Sequence, residues 1–163
     1  DIAAATTALD TSVSRMGRDD HYDVISAFIK SMRASDVDVA LHWLARMFEA
    51  GEDPRFIARR MMIFSSEDIG MADNNALLVA TAAAQVLERV GLPEAQLNLA
   101  HAVIYLARAP KSRGVIDAIS RALSDVREGH TGQAPPTTVQ PPSYLPLGLG
   151  ELRYYREDHE DSQ

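Results

Sequence analysis

From Asp19 to Gly129 a helix-start or helix-stop signal recurs about every 18–20 residues, a rhythm that limits the chain to a set of short helices joined by tight connectors. Tyr22, Ile25, Phe28, Ile29 and Met32 form one stripe behind the acidic Asp19-Asp20 start, which predicts a helix over 20–33. Ser35 offers an N-cap with Asp36 and Asp38 in the first turn, and Gly51 offers a left-handed C-terminal stop, so a second helix is bounded on both sides. Asp53-Pro54 is a cap followed by proline at the first helical position, opening a third helix that runs towards Gly70. Asp73 caps a fourth over 77–90, stopped by Gly91. Pro93-Glu94 starts a fifth that Pro110 ends, and Ser112 starts a sixth with Val115, Ile116, Ile119, Leu123 and Val126 before Gly129.

No segment alternates with period two between turn residues, so the expected fold class is all-α, a compact multi-helix bundle. Connectors of about two to five residues make successive helices neighbours, and no residue pattern repeats between helix pairs, which favours a bundle over a solenoid. Ala80, Ala82, Ala83 and Ala84 allow another axis to come close to the fourth helix, with Leu78, Val86 and Leu87 as its larger side chains, and mark it as the expected centre. Trp43 shares a stripe with Val39 and Met47 and is expected in the core. The domain organisation read from these signals is a weakly patterned lead-in over 1–18, a helical domain over 19–129 and an irregular Pro/Gly-rich tail over 130–163 that is extended unless it docks on the helices.

With 163 residues and 46% hydrophobic content the chain supports one buried core. Cysteine is absent, which removes disulfides, thiolate nucleophiles and cysteine-based zinc sites, and no apolar run or lipidation signal points to a membrane; the expected location is the cytoplasm. The net charge of −7 is spread over both helical part and tail, so composition gives no sign of a dominant phosphate-binding surface.

Catalytic chemistry is equally unsupported. Lys30-Ser31 and Lys111-Ser112 lack the glycines with which a phosphate-binding loop surrounds a nucleotide. His21, His42, His101, His130 and His159 share no ligand spacing with one another, so no metal site, catalytic residue or cofactor site is assigned. The most polar constellation sets Arg55, Arg59 and Arg60 before Glu67 and Asp68. Adjacent carboxylates can divide acid and base roles only if a pocket separates their pKa values, and pairing with arginines, on the same helix turn or across a helix contact, is the simpler reading. Arg59 and Arg60 could instead meet a phosphate.

His21-Tyr22-Asp23 with Ile25-Ser26-Ala27-Phe28-Ile29-Lys30-Ser31, then Trp43-Leu44-Ala45-Arg46-Met47, then Gly51-Glu52-Asp53-Pro54-Arg55-Phe56-Ile57-Ala58-Arg59-Arg60, Ser66-Glu67-Asp68-Ile69-Gly70 and Ala109-Pro110-Lys111-Ser112 stand in order along the chain. Together they resemble the C-terminal region of the replication-associated recombination protein A family, which includes the Werner helicase-interacting proteins. The resemblance implies a collar like that of clamp loaders, holding a homotetramer of AAA+ ATPases together at stalled or damaged replication forks. It makes residues 1–18 the end of the AAA+ lid and leaves ATP and Mg to an upstream ATPase domain. DNA is then reached through the parent protein, and single-stranded-DNA-binding protein is a further family-level partner, recruited by the acidic tail. The chain departs from the family after Glu128, where a His- and Gly-rich segment with a Tyr-Pro-His pattern is missing and only Tyr144-Leu145-Pro146 and Tyr154-Tyr155 match.

The leading functional reading is therefore a non-catalytic tetramerisation domain. Phe56, Met61, Met62 and Phe64 encircle more of the third helix than one buried stripe requires, and they are the candidate oligomer interface. A DNA-binding module using the Arg55, Arg59 and Arg60 face is the alternative. An enzyme built on Glu67 and Asp68 ranks last, since no nucleophile or cofactor motif accompanies them.

Overall fold

The computed structural model describes residues 18–138 and 144–158, and within them the chain forms six α-helices. These are α1 (Arg18–Arg33), α2 (Val37–Glu49), α3 (Pro54–Phe64), α4 (Asn75–Val90), α5 (Ala95–Arg108) and α6 (Gly114–Arg127). A π-helical turn (Ser65–Ile69) and a 3-10 turn (Gly70–Ala72) connect α3 to α4. The all-α bundle read from the sequence is the observed fold, and an isolated antiparallel bridge between Gln133 and Leu147 is the sole β-type pairing among the described residues.

Local chemistry explains most helix ends. Asp53 accepts from the Arg55 amide at 2.9 Å with Pro54 in the first turn. Gly51, at φ +73°, closes α2 with its own amide on the Phe48 carbonyl and the Glu52 amide on that of Met47, the paired bonds of a Schellman stop. Ser35 departs from its expected role. It takes φ +60° and closes α1 through the same pair of bonds, Ser35 to Met32 and Asp36 to Ser31, while the N-cap of α2 is Asp36. The chain has to reverse within three residues there, and that geometry needs a left-handed residue more than it needs a hydroxyl cap.

The core is layered around α5, which packs against α1, α2 and α4 and buries Leu99, Ala102, Val103, Leu106 and Ala107. α5, not α4, is thus the central helix. On α4 the residues Ala76, Ala80, Ala83 and Leu87 follow the i, i+4, i+7, i+11 face and meet α5 through small side chains, whereas Leu78 points outward at 66% exposure. Trp43 is half-buried, with the Arg46 guanidinium 5.0 Å from its ring centroid, so it borders the core instead of filling it.

α6 differs from the other helices. Although strongly amphipathic, it has no fully buried residue, and it joins the bundle through the π and 3-10 turns. The tail does dock: Tyr154 donates its hydroxyl to Asp125 at 2.9 Å, Arg121 donates to the Tyr154 carbonyl at 2.9 Å, and Ser112 donates to Asp158 at 2.7 Å. Residues 154–158 therefore run back along α6 from its C-terminal half to its start.

Candidate functional site

The five charged residues grouped by sequence separate in space. Arg55 forms a two-pronged pair with Glu88 of α4, Nε to Oε1 at 2.6 Å and Nη2 to Oε2 at 2.9 Å. Arg59 is exposed and Arg60 half-buried, and neither meets a carboxylate among the described residues. Glu67 and Asp68 are paired, but with arginines from elsewhere. Asp68, 1% exposed, accepts from Arg33 Nε at 2.8 Å and from Arg113 Nη1 at 3.1 Å, and Glu67 lies 3.8 Å from Arg113. Both carboxylates of the acid and base reading belong to a structural junction.

The π turn creates that junction. Its widened ring, closed by the Gly70 amide on the Ser65 carbonyl, turns Asp68 and Ile69 inward where an α-helical continuation would have carried the chain past the bundle. The Asp68 carbonyl accepts the Ser112 amide at 2.8 Å, so one residue ties α1, the π turn and the entry to α6 together. Its hydrogen bond, partly offset by burial, raises the Arg33 guanidinium above its ordinary range. Lys111 sits beside the junction with its ammonium on the Ala107 and Ala109 carbonyls and the Ser35 hydroxyl; burial lowers its pKa and the Asp68 charge opposes that shift. Arg33, Arg113, Lys111 and Ser112 were missed as partners, because sequence distance hides contacts made across 35 to 45 positions.

Of the four candidate interface residues, two lie inside the chain's own core. Met61 is 0% and Phe64 1% exposed, both inside the chain's own core, because α3 packs on α4 and the π turn and consumes those side chains. Met62 is half-buried against the same core, and Phe56 is half-buried with its ring 5.5 Å from that of His21. A continuous exposed apolar surface lies on α6. Val115, Ala118, Ile119 and Ala122 join Met71 and Tyr155 around an open apolar concavity of about 460 Å³, and Ile119, Leu123 and Val126 remain 53%, 43% and 54% exposed. The stripe itself was legible in the sequence. That no other helix among the described residues covers it was not.

One group among the described residues brings metal-type ligand atoms together. Asp125, Glu128 and His130 have theirs within 4.8 Å of one another at the end of α6, where Asp125 also holds the Tyr154 hydroxyl and Glu128 that of Ser124. No helix among the described residues is long and apolar enough to cross a membrane.

The profile of the family described as MgsA AAA+ ATPase C terminal matches residues 34–163, from the end of α1 through the docked tail. This chain belongs to that family. It is 53% identical over 156 residues to an AAA domain-containing protein of Mycobacterium tuberculosis, covering 94% of this chain and 34% of that protein. It is 52% identical over 117 residues to the replication-associated recombination protein A of Bacillus subtilis, covering 72% of this chain and 28% of that protein. It is 42% identical over 144 residues to the protein of the same name from Escherichia coli, covering 88% of this chain and 32% of that protein. The chain thus spans about a third of the length of these relatives.

Proposed function

We propose that this chain is the non-catalytic assembly domain of an AAA+ ATPase that acts in replication and recombination, and that it joins subunits into a homotetramer. The observation that carries the reading is α6, an amphipathic helix held at one end by the Asp68 junction, with Ile119, Leu123 and Val126 of its apolar stripe left exposed among the described residues. An apolar face of this kind is costly to expose to water, and a head-to-tail contact in which each copy's α6 stripe packs on a different face of the next copy would cover it and close a ring of four with one contact type. ATP, Mg and hydrolysis belong to the upstream part of the parent protein in this reading. DNA is reached through that parent, single-stranded-DNA-binding protein is a partner of the assembled whole, and the setting is cytoplasmic. The upstream location of catalysis is supported by the family match and by the lack of a phosphate-binding loop in this chain.

The solution mass of the chain tests the proposal. Sedimentation at tens of micromolar protein is expected to give four copies, and Ile119→Glu, which places a charge in the stripe, is expected to reduce the mass to that of one copy while circular dichroism keeps its helical signal. A single-copy mass for the unsubstituted chain overturns it.

A further inference from the structure

Gly129, at φ +93°, ends α6 with the same pair of backbone bonds that close α1 and α2: the His130 amide donates to the Asp125 carbonyl at 2.9 Å and the Gly129 amide to that of Val126 at 3.1 Å. A stop of this kind folds the residue after the glycine back over the last turn of the helix, where an apolar pair commonly meets. In this chain the pair is polar. His130 Nδ1 lies 3.9 Å from Asp125 Oδ1, and Glu128, three residues after Asp125 on the same side of the helix, completes a group whose ligand atoms all lie within 4.8 Å of one another. Spacing between histidines does not reveal this group, because the other two members are carboxylates.

We propose that Asp125, Glu128 and His130 bind a divalent transition cation of the zinc type, with water completing its coordination and Tyr154 as a positioning residue. Each carboxylate already has a supporting hydroxyl: Tyr154 donates to Asp125 Oδ2 at 2.9 Å, which leaves Oδ1 to face His130, and Ser124 donates to Glu128 Oε1 at 3.3 Å. Such supporting hydrogen bonds fix the orientation of a metal's ligands. Both carboxylates also stand at the C-terminal end of α6, where the negative end of the helix dipole repels them and a bound cation relieves that repulsion. Tetrahedral coordination at about 2.1 Å sets donor atoms about 3.4 Å apart, so the group has to close by about 1.4 Å at most, a movement open to side chains at the surface. The imidazole decides the class of metal. Magnesium and calcium take shells of oxygen, whereas one ring nitrogen with two carboxylate oxygens suits zinc and its neighbours. Through Asp125 and Tyr154 the ion ties the end of α6 to the docked tail, and its binding does not depend on the assembly proposed above.

Calorimetric titration of the 163-residue chain, free of any affinity tag, with zinc chloride tests the proposal. One zinc ion is expected to bind per chain, and magnesium chloride is expected to bind far more weakly. His130→Ala and Glu128→Gln each remove a ligand and are expected to lower zinc affinity by more than about 100-fold, beyond the loss of a supporting contact. Tyr154→Phe keeps all three ligands and removes only the hydroxyl that orients Asp125, so it is expected to lower affinity about 10-fold. His101→Ala, exposed on α5 and outside the group, is expected to leave zinc binding unchanged. Circular dichroism of each variant checks that the helices persist. Absence of binding at about 1 mM zinc overturns the proposal. So does an affinity that His130→Ala leaves unchanged, a loss on His101→Ala in its place, or equal affinity for magnesium; an unchanged affinity in Tyr154→Phe overturns the positioning role of Tyr154.

Discussion

Val115 on α6 stands against Gly70 so closely that a β-carbon on Gly70 would lie 2.9 Å from the valine Cγ2. Gly70 also has φ +51°, in the left-handed region that side chains disfavour, so two constraints coincide where the π turn passes the start of α6.

Gly70→Ala is therefore expected to destabilise the chain by about 2–3 kcal/mol, combining left-handed backbone strain with displacement of Val115. Gly51→Ala, at φ +73° with open space around it, supplies the comparison and is expected to cost only the backbone part, about 1 kcal/mol. Urea unfolding measures both. Equal losses would show that the Val115 contact relaxes without cost.

The two arginines on Asp68 are expected to act non-additively. Each is about half exposed, 46% for Arg33 and 50% for Arg113, so either alone loses only about 1 kcal/mol on truncation to alanine while the other still holds the carboxylate. Removing both leaves the buried carboxylate without a hydrogen-bonded cation and with only the Lys111 ammonium nearby, and the double variant is expected to lose about 3–5 kcal/mol, more than the single losses combined. A double-mutant cycle in urea decides this, and strict additivity would contradict the shared role of Asp68.

Alkaline pH is expected to loosen both the α4–α5 contact and the docked tail. Tyr105 donates its hydroxyl to Asp73 and Tyr154 donates its own to Asp125, and each of these hydrogen bonds raises the phenol above its ordinary 10.0. The folded state then holds the two protons to higher pH than the unfolded chain does. Their stabilisation is complete below pH 10 and is lost as pH rises through the folded-state values. Lys111, whose pKa is lowered in the fold, works in the opposite sense, gaining stability as pH approaches its ordinary 10.5. Comparing the pH dependence of unfolding in Tyr105→Phe and Tyr154→Phe with the unsubstituted chain isolates the tyrosines: both variants should lose part of the alkaline decline. An unchanged profile in both would place the decline elsewhere.

The sequence by itself determined the helices and several of their ends, because caps such as Asp53 with Pro54 and stops such as Gly51 act within a few residues of the backbone they satisfy. It also determined family membership, since ordered blocks of identity survive without knowledge of where they meet. Tertiary structure decided what each stripe faces. Met61 and Phe64 read as surplus apolar surface on α3, yet packing against α4 and the π turn buries them, while the ordinary-looking stripe of α6 is left open. Periodicity states that a helix has an apolar face and is silent on what covers it, since that depends on contacts between residues far apart in the chain. The same holds for Asp68, whose arginines come from α1 and the entry to α6. Their grouping exists only after distant parts of the chain have been brought together.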